Sequence, residues 1–243
     1  VLTAISKGAD LKIVAVVFDK AGNNVFFKKS ANISKPQDLI GKKIAVPPAD
    51  SHRVLWPAFA TINKLDQNGV TLVNVKPEGK QAIVAGGDVD ASFDLYTSYA
   101  IWEKVLGKGN VGHLLWADYG LPIYGHTYFV NNELIAKNPK LIERFLRATH
   151  KGWRDAQANP AEAMDAMVQA VPGLDGVALL ATMPQIMDLC ITERSRKHGI
   201  GWIEEELMQK TIDITFAKTP PDKPVKVADV YTNAYSSRIK PVK

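Results

Sequence analysis

The chain has 243 residues, a formal net charge of +5, and a composition that is 46% hydrophobic and 23% charged. These values are ordinary for a globular protein and exclude a disordered or low-complexity chain. No apolar run approaches the roughly 20 residues that a membrane-spanning helix needs. The first residues, Val1-Leu2-Thr3-Ala4, lack the charged and apolar regions of a signal peptide. The single cysteine, Cys190, excludes an internal disulfide and a cysteine-cluster metal site. The five histidines lack the spacing of metal ligands, and we assign no metal and no cofactor.

The basic residues are spread along the chain rather than gathered in one tract. The densest clusters are short: Lys28-Lys29, Lys42-Lys43 and Arg194-Ser195-Arg196-Lys197-His198. No RNA-recognition, zinc-finger or KH signature accompanies them, so we interpret them as solvated surface and expect no nucleic-acid partner.

The amino-terminal part predicts two strands of one sheet. Leu11–Phe18 is a nearly continuous apolar run, which is typical of a strand buried on both faces. Val25–Lys29 predicts a second strand, joined to the first through a turn at Gly22-Asn23-Asn24. We assign both strands to the sheet of a first lobe.

From Lys42 the pattern alternates strands and helices, which predicts a small parallel sheet with helical crossovers. The first strand, Lys42–Val46, is followed by a proline-broken loop in which Asp50 or Ser51 can cap the next helix. The predicted strands are Lys42–Val46, Val70–Val75, Ala91–Asp94 and Val111–Trp116, and the predicted helices are Val54–Leu65, Gly79–Ala85 and Thr97–Leu106.

The remainder of the chain predicts one strand, Tyr124–Val130, followed mainly by helices. Asn138-Pro139 and Asn159-Pro160 are both typical of a helix start, with Asn as the N-cap and Pro at the first helical position. A further helix is predicted over Asp175–Cys190, with a break near Pro184.

Several segments, in the same order along the chain, resemble solute-binding proteins of ABC importers. The residues that carry this resemblance are Lys-Pro-Gln-Asp-Leu-Ile-Gly-Lys-Lys-Ile-Ala-Val at 35–46, Tyr-Gly-His-Thr-Tyr-Phe-Val-Asn-Asn at 124–132, and Asn-Pro-Lys-Leu-Ile-Glu-Arg-Phe-Leu-Arg at 138–147. The chain is most similar to the branch that binds sulfonates, nitrate and pyrimidine precursors of thiamine.

The resemblance implies an α/β protein with the two-lobed, type II periplasmic-binding fold. The first lobe would be 1–41 with 123–243, and the second 42–122, with hinges near Gly41 and Gly120–Tyr124. Such proteins begin with more of the first lobe than this sequence shows, so we expect that an amino-terminal segment is missing here. The resemblance also implies a monomer that binds a small-molecule solute between its lobes and passes it to a membrane permease, in a periplasmic or lipid-anchored location.

Ser51, His52 and Arg53 are the leading ligand-binding candidates, because they lie where a strand leads into a helix N-terminus. Backbone N–H groups, a hydroxyl and a guanidinium there would bind an anionic or acceptor-rich group. The alternative is that Ser51 only caps the helix and that Arg53 is solvated.

The other binding candidates are polar or aromatic residues near strand ends and the return crossing. Asp94 could accept a hydrogen bond from a ligand N–H, or could instead cap the helix that follows it. Aromatic rings suit a flat ligand, and on this ground we add Tyr96, Tyr119 and Tyr124, with packing in the core as the alternative. Tyr124 and His126 also lie beside the return crossing, so we expect one of them to face the cleft, and His126 is added for this reason.

The sequence therefore predicts a binding protein for a small organic anion or heterocycle, such as a sulfonate, an aromatic acid or a pyrimidine. The chain carries no nucleophile elbow, P-loop or zinc-protease motif, so no catalytic residue is assigned. The alternative is an enzyme on the same fold, because relatives of this branch include a desulfinase and a pyrimidine synthase. In that case His52 or His126 would be the evident base. A third possibility is the ligand-sensing domain of a regulator.

Overall fold

The computed structural model describes residues 1–242, in which strands and helices alternate up to residue 131 and helices predominate afterwards. The strands are β1 (Leu11–Val16), β2 (Asn23–Lys28), β3 (Lys43–Val46), β4 (Thr71–Asn74), β5 (Ala91–Leu95), β6 (Val111–Leu115) and β7 (Thr127–Asn131). The helices are α1 (Leu2–Ser6), α2 (Ser51–Ile62), α3 (Lys80–Gly86), α4 (Tyr99–Leu106), α5 (Asn132–Lys137), α6 (Pro139–Ala158), α7 (Pro160–Ala170), α8 (Gly176–Cys190), α9 (Glu193–His198), α10 (Glu205–Thr215) and α11 (Val227–Val230).

The chain divides into two compact units. Unit 1 comprises Val1–Ala21 and Pro122–Lys243, and unit 2 comprises Gly22–Leu121. Both are mixtures of helices and strands, and the α/β class predicted from the sequence is confirmed. Among the described residues, no helix combines the length and the apolar character needed to cross a bilayer.

Unit 2 contains a five-stranded sheet with the order β4-β3-β5-β2-β6. β3 pairs in parallel with β4 and with β5. β2 is antiparallel to both of its neighbours, β5 and β6. β6 therefore runs in the same direction as β5, and the four strands predicted after residue 42 are mutually parallel, with β2 inserted between them.

The position of β2 corrects one expectation from the sequence. We assigned this strand to the sheet of the first lobe, but it lies inside the sheet of unit 2, and the first boundary between units falls at Ala21/Gly22 rather than near Gly41. The physical reason is burial: Val25 and Phe26 are fully buried and Phe27 is 3% exposed. A strand with apolar side chains on both faces requires packing against both faces of its sheet, and the sheet of unit 2 provides this for β2.

The core of unit 2 is aromatic on both faces of this sheet. On one face, the ring of Phe26 stacks on Trp102 of α4 with centroids 5.1 Å apart. On the other, Phe59 of α2 stacks on Trp116 at 4.5 Å. Gly112 of β6 allows the ring of Phe27 to lie against its backbone, since a Cβ at this position would be only 2.1 Å from that ring. The ring contacts fix α2 and α4 against the sheet.

In unit 1, β1 pairs with β7 in a two-stranded antiparallel sheet. Ile13 and Val16 pack with the buried side of α10, and Val14 and Ala15 pack with α6. β1 is thus buried on both faces, as its apolar sequence predicts.

The helix starts in unit 1 follow the sequence closely. The side chains of Asn138 and Asn159 accept hydrogen bonds from the backbone N–H groups of Leu141 and Glu162, which confirms both as N-caps. The predicted break at Pro184 is wrong, because α8 continues through this residue. Proline lacks a backbone N–H, so α8 loses one hydrogen bond at Pro184. The hydrogen bonds and packing of its other turns compensate for this loss.

Candidate functional site

Three parallel strands of unit 2 end side by side, and each delivers an exposed residue to the same edge of the sheet. Ser51 begins α2 just after β3, Asn74 ends β4, and Leu95 ends β5. The hydroxyl of Ser51 is exposed and makes no hydrogen bond to any described residue. Carboxyl ends of parallel strands are where open α/β sheets bind ligands, so this edge is the candidate site.

The N-terminus of α2 is capped by Asp50, not by Ser51. The Asp50 carboxylate accepts a hydrogen bond from the His52 backbone N–H at 3.0 Å and contacts His52 Nδ1 at 2.6 Å. Burial alone would raise the pKa of Asp50, but the hydrogen bonds from His52 and the charge of Lys80 hold the pKa of this carboxyl below its usual value. Asp50 is therefore ionised, and Ser51 is left free of the capping role.

His52 is 1% exposed, and both of its ring nitrogens have partners. Nδ1 faces Asp50, and Nε2 is 3.3 Å from the backbone N–H of Asn24, which donates to it. This arrangement requires the tautomer with a proton on Nδ1 and an unprotonated Nε2. The ring also packs 5.6 Å from Phe93 and 5.2 Å from Trp116, so His52 belongs to the interior.

The guanidinium of Arg53 is used to hold the loop after β3. Its Nε donates to the carbonyl of Pro47 at 2.9 Å and its Nη2 to the carbonyl of Val46 at 3.0 Å. Nη2 also donates to the side-chain oxygen of Asn74. Arg53 is thus not simply solvated, as the alternative interpretation held. Its Nε and Nη2 donate hydrogen bonds within unit 2.

Asp94 is the centre of a buried polar network. Its carboxylate accepts hydrogen bonds from Lys80 Nζ at 2.9 Å, Trp102 Nε1 at 3.0 Å and the Leu95 backbone N–H at 2.9 Å. Lys80 Nζ also lies 3.6 Å from Asp50. One ammonium group therefore links the cap of α2 to the end of β5, and Asp94 is a structural anchor rather than a free acceptor.

The two remaining candidates of unit 2 lie in different places. Tyr96 directly follows β5 at the candidate edge, and its ring lies 5.0 Å from that of His113. Tyr119 is distant from Ser51, because the chain after β6 runs back to the C-terminal end of α2, where Asn63 donates to the Tyr119 carbonyl. The Tyr119 hydroxyl donates to the carbonyl of Ser34 at 3.3 Å. Of these two, only Tyr96 accompanies Ser51.

Tyr124 and His126 both belong to unit 1. Tyr124 is 5% exposed, its hydroxyl accepts a hydrogen bond from the Glu204 backbone N–H at 2.8 Å, and burial raises its pKa. His126 is exposed, with its ring stacked on Phe18 at 4.8 Å. As ligand contacts, both stay predictions, and so do the candidates of unit 2.

Beside Tyr124, the buried carboxylate of Asp19 holds the end of residues 1–21, the first segment of unit 1, against residues 192–194. Arg194 donates to the side chain and the carbonyl of Asp19 at 3.2 and 2.7 Å, and Thr192 donates to the same carboxylate. Burial raises the pKa of Asp19 despite these bonds. Cys190 is 2% exposed, and burial raises its thiol pKa to about 12, so it is an inert core residue as the sequence predicts.

Buried polar atoms without partners concentrate near the candidate edge. Among the described residues, Asn23 Nδ2, both amide atoms of Asn24 and Trp116 Nε1 are buried and make no hydrogen bond. Leaving such a group unbonded costs about 1–3 kcal/mol. This end of the sheet therefore has hydrogen-bonding capacity that the protein itself does not use.

A concave surface lies on unit 1, and none of the residues chosen from the sequence lines it. It is a mainly apolar groove of about 750 Å³ between α6 and α7, lined by Tyr128, Trp153, Met164 and Met167, among others. Asp155 and Glu162 also line the groove, but none of the buried polar atoms without a partner in the described residues belongs to its lining, so it ranks below the strand ends of unit 2 as a site.

Sequence reasoning missed Lys80, Asn24 and Trp116. Lys80 reads as an ordinary surface lysine near a helix start, and Asn24 as part of a turn. Only the pairing of Asn24 with Asp94 and Leu115 in the sheet shows that it is interior. An asparagine pair directly before the apolar run Val25-Phe26-Phe27 is the one signal that could have suggested a polar strand end.

Known proteins with similar sequences are mostly binding proteins. The chain is 26% identical to the riboflavin-binding protein RibY of Chloroflexus aurantiacus, covering 97% of this chain and 67% of RibY. It is 21% identical to the formylaminopyrimidine-binding protein of Halalkalibacterium halodurans, covering 96% of this chain and 71% of that protein.

Solved structures with the same fold include two ligand-binding proteins. The aliphatic sulphonate-binding protein SsuA from Escherichia coli superposes with a TM-score of 0.72 at 19% identity, covering 94% of this chain and 71% of SsuA. The ligand-binding component of an ABC-type import system from Staphylococcus aureus gives 0.66 at 15% identity, covering 96% and 76%. At these identities the similarity shows a shared fold.

Enzymes also occur among the similar proteins. A 4-amino-5-hydroxymethyl-2-methylpyrimidine phosphate synthase from Legionella pneumophila is 23% identical over 71% of this chain and 55% of the synthase. The desulfurization enzyme DSZB has a TM-score of 0.59 at 13% identity, covering 96% of this chain and 81% of DSZB.

The family model described as NMT1/THI5 like matches residues 1–163. This match covers β1 to β7, both connections between the units, and the candidate edge. The chain belongs to the NMT1/THI5-like family.

Proposed function

We propose that this chain is the substrate-binding component of an ABC import system, and that it captures a small organic anion or heterocycle outside the cytoplasm. A membrane permease is the partner to which it delivers the solute. Similarity over nearly the whole chain to binding proteins, and the fold shared with SsuA, support this function. The solute itself is a finer proposal, because the similar proteins bind different molecules.

The main support for a binding site at this edge is the free hydroxyl of Ser51, which lies at the N-terminus of α2, beside the ends of β4 and β5. A helix N-terminus attracts negative charge, and in α2 the backbone N–H groups of His52 and Arg53 are already bonded to Asp50. Asp50 performs the capping, so the Ser51 hydroxyl is available to a solute. Tyr96 supplies an aromatic ring at the same edge. We infer that a sulfonate, carboxylate or ring carbonyl binds here.

An enzymatic role has less support. His52 has both ring nitrogens engaged and is buried, so it is not placed to exchange a proton with a substrate. His126 is exposed, but within the described residues no carboxylate is bonded to its ring to orient it as a base. We propose binding without turnover. Formation of a new product, detected by mass spectrometry after incubation with each solute, would reverse this conclusion.

The test is calorimetric titration of the protein with riboflavin, formylaminopyrimidine, taurine and an alkanesulfonate. One of them should bind, and at about 100 times its dissociation constant it should add roughly 2.7 kcal/mol to the free energy of unfolding. In Ser51→Ala, the affinity should fall about tenfold, because one hydrogen bond to a charged or polar group is lost.

The matched control is Ser30→Ala. Ser30 is also exposed but follows β2 at the opposite end of the sheet, so its replacement should leave the affinity unchanged. Equal affinity of wild-type protein and Ser51→Ala would place the solute elsewhere, and the absence of binding across the panel would count against the solute class.

A further inference from the structure

One cluster of cations on unit 1 takes no part in the proposed solute site. It consists of residues around the end of α9 and in the carboxyl-terminal tail, and we call it the basic–aromatic patch: Arg196, Lys197, His198, Trp202, Arg238 and Lys240. Arg196, Lys197, Arg238 and Lys240 are exposed. None of these four cations forms an ion pair with a carboxylate of the described residues.

Backbone contacts hold the two parts of the patch together. The Ile200 N–H donates to the carbonyl of Ile239 at 2.8 Å, and Lys240 Nζ donates to the carbonyls of Arg196 and Lys197 at the end of α9. A Cβ on Gly199 would lie 3.0 Å from the backbone of Arg238, so the two segments are in close contact. The cations thus come from two distant stretches of sequence but form one surface.

An aromatic ring lies inside the patch. Trp202 is half-buried, with the guanidinium of Arg238 4.3 Å from its ring centre and the His198 ring stacked on it at 5.3 Å. Tryptophan, which has an apolar ring and a polar indole N–H, is enriched at the boundary between membrane and water. Long cationic side chains around such a ring suit a surface with many dispersed negative charges.

We propose that the basic–aromatic patch binds the surface of a bilayer that contains anionic phospholipids. The choice of a membrane over an acidic protein rests on Trp202 and on the proposed function, which places the protein beside a membrane permease. Each Lys or Arg held near an anionic bilayer strengthens association about fivefold. Four unpaired cations are therefore enough for reversible, salt-sensitive association without any membrane-spanning helix.

The experiment is cosedimentation of the full chain with vesicles of phosphatidylcholine, alone or mixed with phosphatidylglycerol, at about 0.15 M salt. The wild-type protein should sediment with the anionic vesicles and not with the neutral ones. Arg196→Gln combined with Lys197→Gln should weaken this association about 20-fold or more. Both side chains are exposed, and neither forms a hydrogen bond or ion pair with another described residue, so the fold should be preserved.

The control is Lys29→Gln combined with Lys108→Gln, which removes the same number of positive charges from unit 2. Both of these lysines are exposed. It should bind anionic vesicles like the wild type. Equal weakening in the two double variants would overturn the proposal, because the effect would then come from net charge alone. Absence of wild-type association with anionic vesicles would also overturn it, as would binding to soluble polyglutamate without binding to vesicles. Solute titration of the patch variant should be unchanged, so failure of the proposed function and failure of this patch are separate results.

Discussion

Lys80 shows how one buried side chain connects the parts of the candidate edge. Its ammonium lies 2.9 Å from Asp94 and 3.6 Å from Asp50, and the residue is only 7% exposed. A buried cation between two carboxylates compensates charges that would otherwise be desolvated and unpaired. Lys80 thereby keeps the α2 cap next to the end of β5, although it does not reach the exposed surface where Ser51 lies.

Replacing this lysine should destabilise the protein strongly. We expect Lys80→Met to lower the free energy of unfolding by about 3–5 kcal/mol, because it leaves Asp50 and Asp94 without their shared cation. Urea denaturation followed by circular dichroism measures the effect. Lys137→Met is the control, since Lys137 forms an exposed helical pair with Glu133, and its loss should change stability by less than about 0.5 kcal/mol. Similar stabilities of Lys80→Met and Lys137→Met would show that the buried network contributes little.

At the residue scale, the sequence indicates which residues lie at the candidate edge of unit 2, but not which contacts each of them makes. Ser51, Asp94 and Tyr96 all lie at the ends of parallel strands, as the strand–loop–helix pattern predicts. The sequence could not show that Asp94 is bonded to Lys80 and Trp102, since those residues approach it only after α3 and α4 pack on the sheet. Nor could it show that Tyr119 lies beside Asn63 at the C-terminal end of α2, because the direction of the chain after β6 is not encoded in its local pattern.

At the scale of elements, α6 is attached to the carboxyl-terminal tail by a buried imidazole. His150 is 1% exposed, its Nδ1 lies 2.8 Å from Ser237 Oγ, and its Nε2 is buried with no hydrogen bond to the described residues. Burial lowers the pKa of His150 from 6.5 to about 4. Folding therefore requires the neutral ring, packed closely against Gly201.

This helix–tail contact predicts a loss of stability in acid. Between pH 6.5 and 4 the unfolded chain binds a proton at His150 and the folded chain does not, so the free energy of unfolding falls as the pH decreases through this range. The shift of the His150 pKa from 6.5 to about 4 corresponds to about 3 kcal/mol. The protein has this part of its stability in full above pH 6.5 and loses it as the pH falls to about 4. Urea denaturation at several pH values, compared between wild type and His150→Gln, isolates the contribution. An identical pH dependence in the two proteins would contradict it.

At the scale of the whole molecule, unit 2 is continuous in sequence and contains its own sheet and aromatic core. We expect residues 22–121 to fold alone, because every strand of the five-stranded sheet lies within them. The fragment should show a single cooperative urea transition by circular dichroism.

Residues 42–122, the second lobe expected from the sequence, provide the matched comparison. This fragment lacks β2, the strand that joins β5 to β6, so β6 would lose its only partner among the described strands. It should remain unfolded. Cooperative folding of 42–122, or its absence in 22–121, would show that β2 is not required for the sheet.

The sequence by itself determined the α/β class, the alternation of strands and helices, the capped helix starts and the family, because these depend on local patterns and motifs. Only the tertiary structure decided where β2 pairs, which carboxylates share Lys80 and which cations gather around Trp202. Hydrogen-bonded strand pairs and buried charge contacts join residues far apart in the chain. Their partners are chosen by burial and packing of the whole unit, which local periodicity does not specify.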